Sequence, residues 1–110
     1  MRNRTDSPGL TPGYRHLVPL YIVERNSPRL TVSGLIVAQL ALVQGSRRLA
    51  AAGEEIRYLR STFIPRTSRS FCVFDAPGPD LVRRLNDAAR FAFASIDEAV
   101  DLPAPALDQP

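Results

Sequence analysis

The apolar positions along the chain change period several times, and each change marks an element. Leu17–Glu24 (LVPLYIVE) is rich in β-branched and aromatic residues and runs into the turn signal Asn26-Ser27-Pro28, which predicts a first strand. Pro19 sits near its start, where a missing backbone donor is tolerable. From Val32 to about Ala52 the apolar residues Leu35, Ile36, Leu40, Val43 and Leu49 recur at helical spacing. Thr31 is placed to cap this helix, Gly53 to end it, and Arg47 and Arg48 lie toward its negative end. Gly34 and Gly45 weaken it by up to ~1 kcal/mol each relative to Ala. Glu55–Ile64 (EIRYLRSTFI) then alternates, and Ser70–Ala76 (SFCVFDA) is a second β-rich run across the short turn Pro65-Arg66-Thr67-Ser68, together a hairpin. A second helix is predicted from Pro79 to about Arg90, with Pro79 at its first position and the Asp80 carboxylate suiting the helix dipole. Ser95–Leu102 (SIDEAVDL) alternates again as a last strand.

The order β-α-β-β-α-β predicts an α+β fold of the ferredoxin-like kind, a four-stranded antiparallel sheet with both helices on one face. The other face is left open, and a chain this small gains apolar burial by covering it with a second copy, so a homodimer is expected. Residues 1–16 combine turns with few apolar positions and read as an extended or disordered lead-in, without the apolar core of a secretory signal. The folded domain is expected over 17–102, and the Pro-rich tail 103–110 is expected to be flexible.

Composition narrows the chemistry. The chain has 110 residues with one Cys and one His, which rules out an internal disulfide and leaves no clustered zinc site within one copy. All 14 basic residues are Arg; without Lys there is no Schiff base and no phosphate-loop lysine. A net charge of +3 could suggest nucleic acid, yet the arginines are dispersed and acidic residues are interleaved from Glu54 onward, so no phosphate-tracking stripe forms. The longest uncharged stretch, Leu30 to Ser46, falls short of the ~20 apolar residues of a membrane span, and a cytoplasmic location is expected.

Side-chain alternation sorts the strands into two faces. In the second strand Ile56, Tyr58, Arg60, Thr62 and Ile64 share one side; in the first, Tyr21, Val23 and Arg25 oppose Leu20, Ile22 and Glu24. The expected ligand site is a polar open face drawing on Tyr21, Tyr58, Arg60 and Cys72, with Glu24 at its margin, because Tyr and Arg supply hydrogen bonds and Arg binds carboxylates bidentately. Each residue also has a plainer reading. Cys72 between Phe71 and Val73 suits a small buried hydrophobe. Tyr21 and Tyr58 are ordinary strand residues that suit a dimer interface. Glu24-Arg25 at a strand end reads as a solvated or locally paired couple worth at most ~1 kcal/mol. Asp97, Glu98 and Asp101 read as an exposed edge, and His16 falls outside the domain.

The blocks Tyr21-Ile22-Val23-Glu24-Arg25, Ile56-Arg57-Tyr58-Leu59-Arg60-Ser61, Ser70-Phe71-Cys72-Val73-Phe74-Asp75-Ala76-Pro77 and Asp97-Glu98-Ala99-Val100, in this order and spacing, resemble a small bacterial family typified by a nickel-responsive, nickel-binding ferredoxin-like protein. The resemblance implies a βαββαβ homodimer with nickel as its metal, held by side chains of the dimer. It also implies histidines before the Ser of the second strand and in the second helix, where this chain has Arg60 and the run Arg83-Arg84-Leu85-Asn86-Asp87. A guanidinium is not a normal metal ligand, which leaves Cys72, Glu24 and Asp75 as candidates. The expected function is therefore a small dimeric binding protein for a metal ion or a small anionic metabolite. The alternatives are a dimeric isomerase- or monooxygenase-like enzyme using Glu24 or Asp75 as general base, or an interaction module without a ligand.

Overall fold

The computed structural model describes residues 20–107. The lead-in 1–16, His16, the predicted strand positions Leu17 to Pro19, and the last three residues of the tail lie outside this range. The elements are β1 (Leu20–Asn26), α1 (Val32–Ala51), β2 (Arg57–Ile64), β3 (Arg69–Asp75), α2 (Pro79–Ala88) and β4 (Ser95–Ala99). Strand order is β2-β3-β1-β4 with every neighbouring pair antiparallel. β1 and β2 thus run parallel with β3 between them, and β3 and β4 run parallel with β1 between them. This is the ferredoxin-like α+β arrangement that the periodicity predicts.

Local chemistry sets most boundaries. The Thr31 hydroxyl accepts from the Gly34 N–H at 3.0 Å and starts α1. At its end Gly53 adopts φ +95°, and the Gly53 and Glu54 N–H groups donate to the carbonyls of Ala50 and Leu49 (3.0 and 2.9 Å), satisfying the last turn. α2 begins on Pro79 with Asp80 in its first turn, and ends two residues earlier than the pattern predicts. Arg90 there takes the left-handed conformation, φ +55°, so its carbonyl and those after it leave the helix path. β1 continues to Asn26, past the predicted Glu24, because its pairing with β3 extends to Asn26↔Arg69. β4 stops at Ala99, opposite Leu20, rather than at Leu102; Val100 to Leu107 form no regular element.

The core lies between the sheet and both helices. Tyr21 and Val23 of β1, Cys72 and Phe74 of β3, Ile56 and Ala76 pack with Leu42 of α1 and Leu81, Val82 and Leu85 of α2. Where the helices meet, a Cβ on Gly45 would sit 2.6 Å from Leu85 Cδ1, so a side chain here would force that leucine to shift. α1 does not bury the stripe that its sequence suggests. Leu35, Leu42 and Ser46 face inward, while Ile36 (51% exposed), Leu40 (59%), Val32 and Val37 face outward. The helix is apolar on more than one side, so periodicity alone does not choose which side meets the sheet.

Replacing Thr31 by Ala should lower unfolding stability by about 1 kcal/mol, the worth of a side-chain N-cap. Urea unfolding should show an earlier midpoint at unchanged slope.

Candidate functional site

The expected polar open face does not exist as a unit: Tyr21, Tyr58 and Cys72 lie on the helix side of the sheet, and a bulge in β2 sends Arg60 to the other side. Tyr58 pairs with Phe74 and Arg60 with Val73, so Leu59 is extra and the alternation changes phase there. Tyr58 and Ser61 consequently point to the helix side, and Arg57 and Arg60 to the open side. Tyr21 and Cys72 also face the helices and are buried, Cys72 fully. Of the predicted ligand residues, only Glu24 and Arg60 lie on the open face. Glu24 accepts from Arg69 at 2.9 Å, and Arg60 lies 3.6 Å from Asp101.

The bulge instead assembles a polar chain through the core. Gln39 of α1 donates to the Tyr58 hydroxyl at 2.8 Å, Tyr58 and Ser61 share a short hydrogen bond, and the Ser61 hydroxyl donates to Cys72 Sγ at 2.9 Å. Each hydroxyl can accept one bond and pass on one, so the chain is consistent when read from Gln39 to the sulfur. On the other side of that sulfur, Arg25 Nη1 donates to it at 3.0 Å. Arg25 Nη2 donates to Asn86 Oδ1, and Asn86 Nδ2 donates to the Val82 carbonyl at 2.8 Å.

Arg25 is the residue that sequence reasoning undervalued. It is 2% exposed, not a solvated partner of Glu24, which pairs with Arg69 instead. Its guanidinium carbon lies 3.4 Å from the centre of the Phe91 ring, a stacked cation–π contact. The helix-ending turn at Arg90 delivers that ring. Among the described residues no carboxylate pairs with Arg25, and its Nε has no hydrogen-bond partner. Burial pushes the Arg25 pKa down, while the neighbouring Cys72 and Tyr58 hold it up. The usable sequence signal was the alternation Tyr21, Val23, Arg25, which puts the arginine on the core face once the strand runs to Asn26. Asn86 had a matching signal, one helical turn from Val82 and adjacent to Leu85.

Two of the clefts among the described residues bear on this site. One, of about 400 Å³, is lined by Arg25, Asn26, Ser27, Pro28 and the loop Phe91 to Ala94. The other, of about 430 Å³, is lined by Glu54, Glu55, Arg57 and Asp75 with Ala50, Ile56, Ala76 and Pro77. Arg57 and Asp75 are paired at 3.0 Å across its mouth, an exposed bridge worth at most ~1 kcal/mol.

The donor set for nickel does not converge within one copy. Cys72 lies on the helix side of the sheet, whereas Glu24 and Asp75 lie on the open side and are each bonded to an arginine. No group of three or more His, Cys, Asp or Glu among the described residues is placed to hold a metal ion.

Tyr58→Phe should lower stability by about 1–2 kcal/mol, since it leaves the Gln39 amide and Ser61 hydroxyl short of a partner. Burial raises the Tyr58 pKa, outweighing the hydrogen bonds from Ser61 and Gln39 that lower it. A raised folded-state pKa favours the protonated form, so its contribution is complete below pH ~10 and declines as pH climbs through the folded value. Urea midpoints at pH 8 and pH 11 should therefore fall less for the Phe variant than for the parent.

Comparison with known proteins agrees with this fold. The model of the family described as nickel responsive protein SCO4226-like matches residues 21–99. Among solved structures, SCO4226 from Streptomyces coelicolor A3(2) is similar at a TM-score of 0.61 and 16% sequence identity, covering 79% of this chain and 99% of that one. The search of curated proteins returned no match. No helix among the described residues is long and apolar enough to cross a membrane. The family match spans β1 through β4, every element that builds the core and the buried polar chain, and so this chain belongs to the SCO4226-like family of nickel responsive proteins.

Proposed function

We propose that this chain is a small dimeric binding protein whose ligand is a small anion held beside the sheet. The observation that carries the reading is Arg25, a guanidinium buried to 2% exposure with no carboxylate partner among the described residues. An isolated buried charge is costly, and an external anion is a direct way to offset it. The family description associates relatives with nickel. In this chain Cys72, Glu24 and Asp75 are split between the two sides of the sheet, so nickel coordination by that trio is not part of the proposal.

Dimerisation is supported by the apolar surface left uncovered on one copy, Val32, Ile36, Val37 and Leu40 of α1. A role without nucleic acid is supported by the pairing of Arg57, Arg60, Arg69 and Arg84 with carboxylates. The single buried free cysteine is compatible with a reducing compartment such as the cytoplasm.

Thermal melting with acetate, benzoate, inorganic phosphate and Ni²⁺, each at neutral pH, tests this reading alongside a native mass spectrum. A dimer mass and a melting temperature raised by an anion are expected, with about 1.4 kcal/mol gained at ligand near ten times Kd. A melting temperature that no anion moves, or that Ni²⁺ alone raises, would overturn it.

A further inference from the structure

Resting on the anion-binding reading above, we infer that the cleft at the end of β1 is the binding site and that its ligand is a monocarboxylate with an aromatic or short aliphatic body. The cleft is walled by Arg25, Pro28, Phe91 and Phe93, with Ala92 and Ala94 between the aromatic residues and Asn26 and Ser27 on the strand side. Three features assign the ligand class.

The first is the unmet donor. Arg25 Nη1 is committed to Cys72 Sγ and Nη2 to Asn86 Oδ1, while Nε has no partner and is buried. These two bonds fix the plane of the guanidinium and leave Nε–H as its donor without a partner. A carboxylate oxygen accepts from such an N–H in a charge-assisted hydrogen bond.

The second is charge. One guanidinium is buried here, and one negative charge makes a neutral pair; a dianion such as hydrogen phosphate would leave a net charge in an apolar cleft. The third is the wall. Apart from Arg25, Asn26 and Ser27, the lining is Pro, Phe and Ala, which suits an apolar body on the far side of the carboxylate.

Because Nε is buried, a ligand reaches it only if the loop that carries Phe91 shifts. The Phe91 ring covers the guanidinium, and the residue belongs to the loop between α2 and β4 and is only partly buried. In the ligand-bound state the carboxylate accepts from Nε–H in the guanidinium plane, with Phe91 and Phe93 against the ligand body.

The test is a benzoate titration of ¹⁵N-labelled protein, with acetate, phosphate and the neutral analogue benzyl alcohol as parallel probes. Benzoate should shift the amides of Arg25 to Ser27 and Phe91 to Ala94, acetate more weakly, and phosphate and benzyl alcohol should not. Arg25→Met should abolish binding; because that change can unfold the core, Ala92→Trp provides the second variant, filling the cleft from an exposed loop position with Arg25 intact. Ala92→Trp should melt like the parent and bind benzoate at least tenfold more weakly. Unchanged affinity in a folded Ala92→Trp protein, or shifts confined to the other cleft around Ile56 and Ala76, would overturn this site while leaving the anion reading standing. Equal binding of benzyl alcohol would overturn the carboxylate assignment, and no binding of any anion would overturn both.

Discussion

The guanidinium of Arg25 is the constraint around which the helix side of this fold is arranged. A buried cation must be hydrogen-bonded to be tolerated, and no single element can supply all its contacts. Here β3 provides the Cys72 sulfur, α2 the Asn86 carbonyl and the loop after α2 the Phe91 ring. Those contacts tie β1 to elements 47 and 61 residues away in sequence. Removing one partner of such a buried charge typically costs about 3–5 kcal/mol, because the other is left unmatched. The same constraint explains why Cys72 is a structural acceptor here. Its sulfur is fully buried and receives bonds from both Ser61 and Arg25, so it does not present an accessible nucleophile.

The bulge at Leu59 is the second decisive feature, since it converts a strand that would have offered Tyr58 and Arg60 together into one that separates them. On the helix side, Tyr58 joins Ser61 and Gln39 in the polar chain that ends on the sulfur. On the open side, the charged residues meet one another as exposed ion pairs that contribute little. The βαββαβ frame is shared with the family, while Cys72, Glu24 and Asp75 of this chain are divided between the two sides of the sheet.

Much of the frame was legible in the residues. Thr31, Gly53, Pro79 and Asp80 act at short range, and a cap or helix start depends on a few neighbouring backbone groups that sequence spacing already specifies. The strand runs and the hairpin turn were readable for the same reason. The site was not. Tyr21, Tyr58 and Cys72 share the buried helix side, a choice of face that alternation within each strand does not make, and one extra residue in β2 sends Arg60 to the other side. Alternation sets Arg25 with Tyr21 and Val23, but a Glu24-Arg25 couple at a strand end reads equally as solvated, and only the pairing of β1 out to Asn26 and the packing of α2 enclose it.

By itself, the sequence determined the kinds of element, their order and, through caps and turns, most of their ends, all of which are set by interactions within a turn or two of chain. The tertiary structure alone decided which face of α1 is buried, where the phase of β2 shifts, and that Arg25 is enclosed by Cys72, Asn86 and Phe91. Those outcomes depend on register and packing between segments far apart in the chain, where a slip of one residue moves every side chain to the opposite face.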